Sequence, residues 1–189
     1  MNYFMNKISI YIITFLVLLL APSMTAQKKI KWMSWEEAIA KSAVEKKKIV
    51  VDIYTQWCGW CKKMDKSTFM DEFIVEYVNE NFYPVKFDAE YKEVINFNDK
   101  DYKYVKKGRR GYHELAVELT KGKLSFPTIV FLDEEHNVLQ PIPGFQDHER
   151  FELIVTYFSG DHFKYTPWRR YTRNYSRETF AYPAGTRKN

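Results

Sequence analysis

The two cysteines are the feature that most constrains what this chain can be. Cys58 and Cys61 are the only two among 189 residues, and they lie three positions apart. They follow an apolar, strand-like run from Ile49 to Tyr54 and precede a helix-like segment. A Cys-x-x-Cys at the start of a helix brings two thiols within disulfide reach and places the first sulfur beside N–H groups that stabilise a thiolate. This arrangement is suited to electron transfer.

A structural disulfide and a metal site are the two alternative uses of this pair. The loop between the cysteines is too short for a disulfide to add much stability by restricting the unfolded chain. A structural zinc site needs four ligands, and no second pair of Cys or His residues lies at ligand spacing. The four histidines are scattered, at positions 113, 136, 148 and 162. We therefore expect no metal and no other cofactor.

The N-terminus has the pattern of a signal peptide. Lys7 precedes 13 residues, Ile8 to Leu20, that are apolar apart from a serine and a threonine. This length fits a signal-peptide core of roughly 7–15 residues and falls short of the roughly 18 that span a bilayer. Small residues follow as far as Ala26. Residues 1–26 are predicted to be a signal peptide of a periplasmic or secreted protein, with an uncleaved membrane anchor as the alternative.

Length and charge indicate one domain that does not bind nucleic acid. The formal net charge is only +5, and the aromatic residues are spaced as core residues rather than along a basic groove. We assign residues 27–165 to a single domain with a good core. Residues 166–189 are rich in Arg, Tyr and Pro without periodicity, so they are predicted to be a tail that is disordered from about Tyr182.

Hydrophobic patterning predicts alternating helices and strands. Ser34 and Glu37 form a capping box that opens the first helix. Residues 91–111 alternate in polarity around Asn98-Asp99, which predicts a β-hairpin followed by a basic loop. The other predicted elements are strands at 49–54, 83–88, 128–132 and 138–140, and helices from Cys61 to Thr68, from Asp71, at 112–120 and at 147–158.

This order and three local motifs resemble the thioredoxin superfamily over about residues 33 to 159. The run from Val51 to Lys62 resembles its active-site strand and loop, with an acid, Asp52, six residues before Cys58. Phe126-Pro127-Thr128 resembles its cis-proline loop. The resemblance implies an α/β thioredoxin fold, a central mixed sheet flanked by helices. The β-hairpin insertion would lie between the active-site half and the cis-proline half.

Within the superfamily, the chain looks closest to exported thioredoxin-like proteins such as the C-terminal domain of DsbD. The shared segments are Ser67-Thr68-Phe69 and residues 126–133. The dipeptide between the cysteines is Gly-Trp rather than the Gly-Pro of thioredoxin, and it is more similar to that of the isomerase DsbC. The function is therefore predicted to be that of a protein-disulfide reductase. A disulfide isomerase or oxidase, and a binding module with little turnover, are the alternatives.

The resemblance also assigns roles to the cysteines and to Asp52. Cys58 would be the exposed nucleophile, and Cys61 would resolve the mixed disulfide. Asp52 is an acid in an apolar strand, where burial raises a carboxyl pKa, so it would accept the proton of Cys61. A solvated acid at a sheet edge is the alternative interpretation of Asp52.

Substrate binding is assigned to residues around the thiols. A cis Pro127 would place the backbone of Phe126 beside the sulfurs, where a substrate strand could pair with it. Trp57, Gly59 and Trp60 would complete the docking surface. The expected partners are proteins that carry disulfides and a membrane or thioredoxin-type electron donor. We expect a monomer, because no dimerisation segment is visible in the sequence.

Overall fold

The computed structural model describes residues 28–181. The predicted signal peptide and the chain beyond residue 181 lie outside this range. The helices are α1 (Trp35–Val44), α2 (Gly59–Lys66), α3 (Glu72–Asn81), α4 (Glu114–Leu119), α5 (His148–Ser159) and α6 (Trp168–Asn174). The strands are β1 (Ile49–Tyr54), β2 (Tyr83–Asp88), β3 (Ile95–Phe97), β4 (Lys100–Tyr102), β5 (Tyr104–Lys107), β6 (Arg110–His113), β7 (Thr128–Leu132) and β8 (Val138–Pro143).

A four-stranded mixed sheet forms the centre of the molecule. Its strand order is β2-β1-β7-β8, with β1 parallel to β2 and antiparallel to β7, and β7 antiparallel to β8. Helices cover both faces, which is why β1 is buried along nearly its whole length. The predicted α/β fold with a central mixed sheet is confirmed.

Side chains of β1 alternate between two hydrophobic cores, as the pleat of a strand requires. Val50 packs into the core that contains Met64 of α2, whereas Val51 packs into the core that contains Trp35 of α1. Asp52 is two residues from Val50 and therefore points to the α2 side of the sheet. The sheet thus delivers a carboxylate towards the helix that carries the cysteines.

Residues 95–113 form two β-hairpins rather than one hairpin and a basic loop. The first, β3–β4, turns at Asn98 and Asp99, whose φ angles of 51° and 58° are left-handed. The second, β5–β6, turns at Gly108, whose φ is 63°. Gly111 lets these two strands approach, because a Cβ there would lie 2.3 Å from both the Tyr104 hydroxyl and the Val105 carbonyl oxygen.

The helix predicted at 112–120 begins later than the sequence analysis expected. Tyr112 and His113 belong to β6, and α4 starts at Glu114. The His113 backbone N–H donates to the Ala89 carbonyl oxygen at 2.7 Å, a non-local bond that keeps this segment extended. The β5–β6 hairpin is thereby joined to the loop that follows β2.

The segment after α5 forms a helix that packs on the domain. Tyr171 of α6 is completely buried, and its hydroxyl donates to Thr156 Oγ1 of α5 at 2.8 Å. Arg177 and Tyr175 both donate to the carboxylate of Glu152 in α5. The part of the predicted tail up to residue 177 is therefore folded against α5. Within residues 28–181, no helix has the length and apolar character needed to cross a membrane.

Candidate active site

The two cysteines lie where the central strand β1 gives way to α2. Cys58 is the N-cap residue of α2, and its Sγ accepts the backbone N–H of Cys61 at 3.1 Å. A bond from the Cys58 N–H to the Thr55 carbonyl oxygen, at 3.1 Å, forms the turn before it. Cys58 and Cys61 are joined by a disulfide. The first N–H groups of a helix lack intrahelical acceptors, so this position favours negative charge on the Cys58 sulfur after reduction.

In this disulfide form the cysteines are covered while their tryptophan neighbours protrude. Cys58 is 5% exposed and Cys61 is 1% exposed, whereas Trp57 is 46% and Trp60 is 57% exposed. Cys58 is therefore less accessible than the sequence analysis expected. The physical reason is that its sulfur is bonded to Cys61 and accepts the Cys61 backbone N–H in the first turn of α2.

Aromatic pairs stand on both sides of the disulfide. The Trp57 and Phe126 rings meet edge to face, with centroids 5.7 Å apart, and Trp57 Nε1 donates to Glu90 at 3.2 Å. The Trp60 ring packs against Phe145, with centroids 5.5 Å apart. The structure brings Trp57 into contact with Phe126, and it places Trp60 against Phe145, a residue that the sequence analysis missed.

The remaining two predicted binding residues differ in exposure. The Phe126–Pro127 peptide bond is cis, and the Pro127 carbonyl oxygen accepts the Gly144 N–H at 2.8 Å. Pro127 is buried, while Gly59 is exposed at the first position of α2. A Cβ on Gly59 would meet nothing within 4 Å, so a side chain would fit there.

Asp52 is a buried acid with one satisfied oxygen. It is 1% exposed, in a strand flanked on both edges by β2 and β7, which rules out the solvated-edge interpretation. Asp52 Oδ2 accepts from Lys86 Nζ at 2.5 Å, and Oδ1 has no hydrogen-bond partner within residues 28–181. Burial raises the pKa of Asp52 to about 6, against the opposing effect of the Lys86 charge.

Lys86 is a second residue of this site, after Phe145, that the sequence analysis missed. Its ammonium group joins Asp52 to the carboxylate of Asp65 on α2. Burial lowers the pKa of Lys86, but the two carboxylates outweigh burial, so the pKa is raised and the side chain stays charged. Three aromatic rings surround the ammonium, with centroids 5.0–5.2 Å from Nζ: those of Trp32, Tyr54 and Phe69.

The site has the parts that disulfide exchange requires. A dithiol at a helix N-terminus supplies the nucleophile, a buried carboxylate with a raised pKa can accept a proton, and exposed aromatic rings provide an apolar contact surface. Within the described chain, no group of three or more His, Cys, Asp or Glu side chains could hold a metal ion.

Comparisons with known sequences match this region. A model of the Thioredox_DsbH family, described as a protein of unknown function (DUF255), matches residues 20–152. The Caenorhabditis elegans protein B0495.5, described as uncharacterized, is 27% identical over 123 residues, which cover 56% of this chain and 17% of that protein. Spermatogenesis-associated protein 20 of Rattus norvegicus is 35% identical over 66 residues, covering 34% of this chain and 8% of that protein. The chain thus spans less than a fifth of these curated relatives.

Comparisons with solved structures agree on the fold. The structure described as DsbH Oxidoreductase is 19% identical, with a TM-score of 0.50, and the match covers 75% of this chain and 91% of that one. A thioredoxin-fold protein from Helicobacter pylori is 16% identical, with a TM-score of 0.52, over 68% of this chain and 79% of that one. These likenesses show that the chain has the thioredoxin fold that its sequence motifs implied.

Proposed function

This chain belongs to the Thioredox_DsbH family of the thioredoxin superfamily, and on that basis we propose that it is an exported thiol–disulfide oxidoreductase that reduces disulfides in other proteins. The observation that carries the proposal is the Cys58–Cys61 disulfide at the N-terminus of α2, between exposed aromatic rings. A structural disulfide between residues only three apart would add little stability.

The reduced form would carry out the exchange in two steps. The Cys58 thiolate attacks one sulfur of the partner disulfide, so that a mixed disulfide forms and the first partner thiolate leaves. The Cys61 thiolate then attacks the Cys58 sulfur, and the second partner thiolate leaves. Two electrons pass to the partner, and the chain ends in its disulfide form. A dithiol electron donor, in the membrane or of thioredoxin type, must then reduce it again.

Asp52 would take the proton that Cys61 loses in the second step. Its pKa of about 6 means that it is mostly ionised at neutral pH, yet it holds a proton more readily than an ordinary aspartate. Its Oδ1 accepts no bond from residues 28–181 and so remains able to accept a proton. Lys86 would hold the carboxylate in place through Oδ2.

The aromatic rings around the disulfide would form the partner-binding surface. One part of this surface is the packed pair of Trp57 and Phe126, and the other part is the packed pair of Trp60 and Phe145. Exposed aromatic side chains bury a large area at little conformational cost, which suits contact with unrelated protein partners. Gly59 and Pro127 would let a partner chain approach the sulfurs between these two aromatic pairs.

The direction of electron flow is tested by the reduction potential of the Cys58–Cys61 pair, measured at equilibrium against dithiothreitol or glutathione buffers. We expect a value of about −270 mV, typical of a thioredoxin-like reductase. A value of about −120 mV would make the protein an oxidant or an isomerase instead.

Paired cysteine variants test the mechanism itself. Cys58→Ser should abolish the reduction of insulin disulfides, because the attacking thiolate is lost and the remaining Cys61 thiol is buried. Cys61→Ser should instead accumulate a mixed disulfide with the substrate, since the resolving thiol is missing. The two variants remove the same atom and serve as controls for each other. Equal behaviour of both, or no exchange by the native protein, would contradict the proposed function.

A further inference from the structure

The β5–β6 hairpin reaches the disulfide through Arg110. The guanidinium carbon of Arg110 lies 4.0 Å from the centroid of the Trp57 ring, and Trp57 directly precedes Cys58. The same ring also packs edge to face against Phe126. The hairpin therefore forms part of the surface that a partner must contact, although it lies about 50 residues away along the chain.

The tip of this hairpin, residues 106–110, carries four positive charges. We call this segment the basic tip. Lys106, Lys107, Arg109 and Arg110 are all exposed around the turn at Gly108. No acidic side chain within residues 28–181 forms a salt bridge with any of the four. Unpaired like charges within five residues repel each other, and an acidic partner would relieve that repulsion.

Positive charge also borders the opposite side of the disulfide. Lys62, Lys63 and Lys66 are exposed on α2. The Lys63 ammonium lies 4.9 Å from the centroid of the Trp60 ring and 5.0 Å from that of Phe145. A cationic side chain therefore lies over each tryptophan ring beside the disulfide, Arg110 over Trp57 and Lys63 over Trp60.

Two acidic side chains contact residues of this region. Asp65 on α2 is paired with Lys86, whereas Glu90 accepts the indole N–H of Trp57 at 3.2 Å and keeps its negative charge among the seven lysine and arginine side chains named above. An incoming partner would therefore meet an apolar centre with a predominantly positive border. A surface of this kind raises the rate of encounter with negatively charged partners and slows encounter with positive ones.

We propose that the basic tip and the α2 lysines select protein partners whose reactive cysteines lie in acidic segments. This inference rests on the proposed function and adds the class of partner that the site prefers. The aromatic rings supply contact with any polypeptide, whereas the cations discriminate among polypeptides by charge.

The test uses the reduced native protein and three disulfide-bridged peptides that differ only in four flanking residues, which are all Glu, all Gln or all Lys. Exchange is followed by stopped-flow tryptophan fluorescence. At low ionic strength, we expect the Glu peptide to react about tenfold faster than the Gln peptide, and the Lys peptide to react more slowly. At about 0.3 M salt the rates should agree within about twofold, because screening shortens the range of the charges.

A hairpin variant and a matched control locate the effect. The combined change Lys106→Gln, Lys107→Gln and Arg109→Gln should lower the Glu-to-Gln rate ratio from about ten to about two or three. The combined change Arg169→Gln, Arg170→Gln and Arg173→Gln removes the same charge from exposed positions of α6, and it should leave the ratio near ten.

Three results would overturn the inference, and they differ in their consequences for the proposed function. Equal rates for the Glu and Gln peptides with the native protein would refute charge selection while leaving the oxidoreductase intact. A Glu-to-Gln ratio that stays near ten after the hairpin changes would show that the basic tip does not select partners, whatever the α6 control does. If no peptide is reduced at all, the proposed function fails, and this inference fails with it.

Discussion

Two buried carboxylates, Asp52 and Glu152, are built into this molecule in different ways. Both oxygens of Glu152 are satisfied: Oε1 accepts from the Tyr175 hydroxyl at 2.9 Å and from Arg177 Nε at 2.7 Å, and Oε2 accepts from Arg177 Nη2 at 2.5 Å. Asp52 accepts from Lys86 through Oδ2 alone, and its Oδ1 has no partner within the described chain.

The difference separates an acid that holds structure from an acid suited to chemistry. Burial raises the pKa of Tyr175, so its hydroxyl stays protonated and donates to Glu152. Charge-assisted bonds to both oxygens offset the cost of burying the Glu152 carboxylate. At Asp52 fewer hydrogen bonds offset the cost of burying the carboxylate, and the pKa of Asp52 is raised as a result. A half-satisfied carboxylate is destabilising to the fold but available to a proton.

Removing Glu152 should have the largest effect on stability. Glu152→Ala removes the carboxylate that accepts hydrogen bonds from Tyr175 and Arg177. Residues 175–177 would then lose the bonds that hold them against α5. We expect a loss of about 2–3 kcal/mol in the free energy of unfolding, at the lower end for a broken buried pair because Arg177 is half exposed. Urea unfolding at neutral pH measures the loss.

Two further observations sharpen the Glu152 prediction. Glu152→Gln keeps an acceptor for Tyr175 and should lose only about half as much stability. Trypsin should cleave at the arginines of α6 sooner in Glu152→Ala than in the native protein, because that segment would be less firmly held. Unchanged urea unfolding and unchanged cleavage would mean that Glu152 does not hold the C-terminal segment.

Removing the charge of Asp52 should have the opposite effect and increase the free energy of unfolding. Its pKa is higher in the folded state, about 6, than the ordinary value of 3.8, so the folded state binds the proton more tightly. The native protein therefore loses stability as the pH rises from about 4 to about 6, and it carries the full penalty above that range. Asp52→Asn should be more stable by about 1–2 kcal/mol at pH 7, less than the full shift implies because a buried asparagine amide has a desolvation cost of its own.

The pH dependence distinguishes this explanation from a general effect of removing charge. The gain from Asp52→Asn should disappear below about pH 4, where the native Asp52 is already neutral in both states. Asp99→Asn removes the same charge from an exposed turn and should change stability little at any pH. A variant that is no more stable than the native protein at pH 8 would contradict the unsatisfied, buried state of Asp52.

The contacts of both carboxylates show what the sequence could and could not predict. The bounds of β1 and β2 were predicted correctly, and in their parallel register Asp52 is the direct partner of Lys86. Lys86 could therefore have been found by aligning the two strands. The contacts of Glu152 could not, because residues 175 and 177 follow an aperiodic segment whose folding depends on burying Tyr171 against α5.

The second hairpin shows the same limit near the active site. Its tip, from Lys106 to Arg110, has the composition of a solvated loop, so the pattern gave no sign of strands. Its pairing depends on the absence of a side chain at Gly111 and on the bond from His113 to Ala89. Both are tertiary contacts, which a local pattern does not contain.

The smallest effect expected concerns Asp65, the exposed member of the Lys86 network. Its negative charge raises the pKa of Asp52, so Asp65→Asn should lower that pKa below about 6. Because the Asp65 side chain is 40% exposed, we expect stability to change by less than about 0.5 kcal/mol. The acid limb of the rate of mixed-disulfide resolution should shift to lower pH by a few tenths of a unit.

A carboxyl NMR titration of Asp52 in the disulfide form measures the Asp65 effect without depending on turnover. Asp99→Asn, the same change in an exposed turn, should leave the Asp52 titration where it is. A shift of the Asp52 pKa upwards in Asp65→Asn would show that Asp65 acts mainly by holding the Lys86 ammonium against Asp52. In that case Asp65 and Lys86 together would favour the ionised form of Asp52. Asp52 and Glu152 would then differ only in the number of hydrogen bonds that each carboxylate accepts.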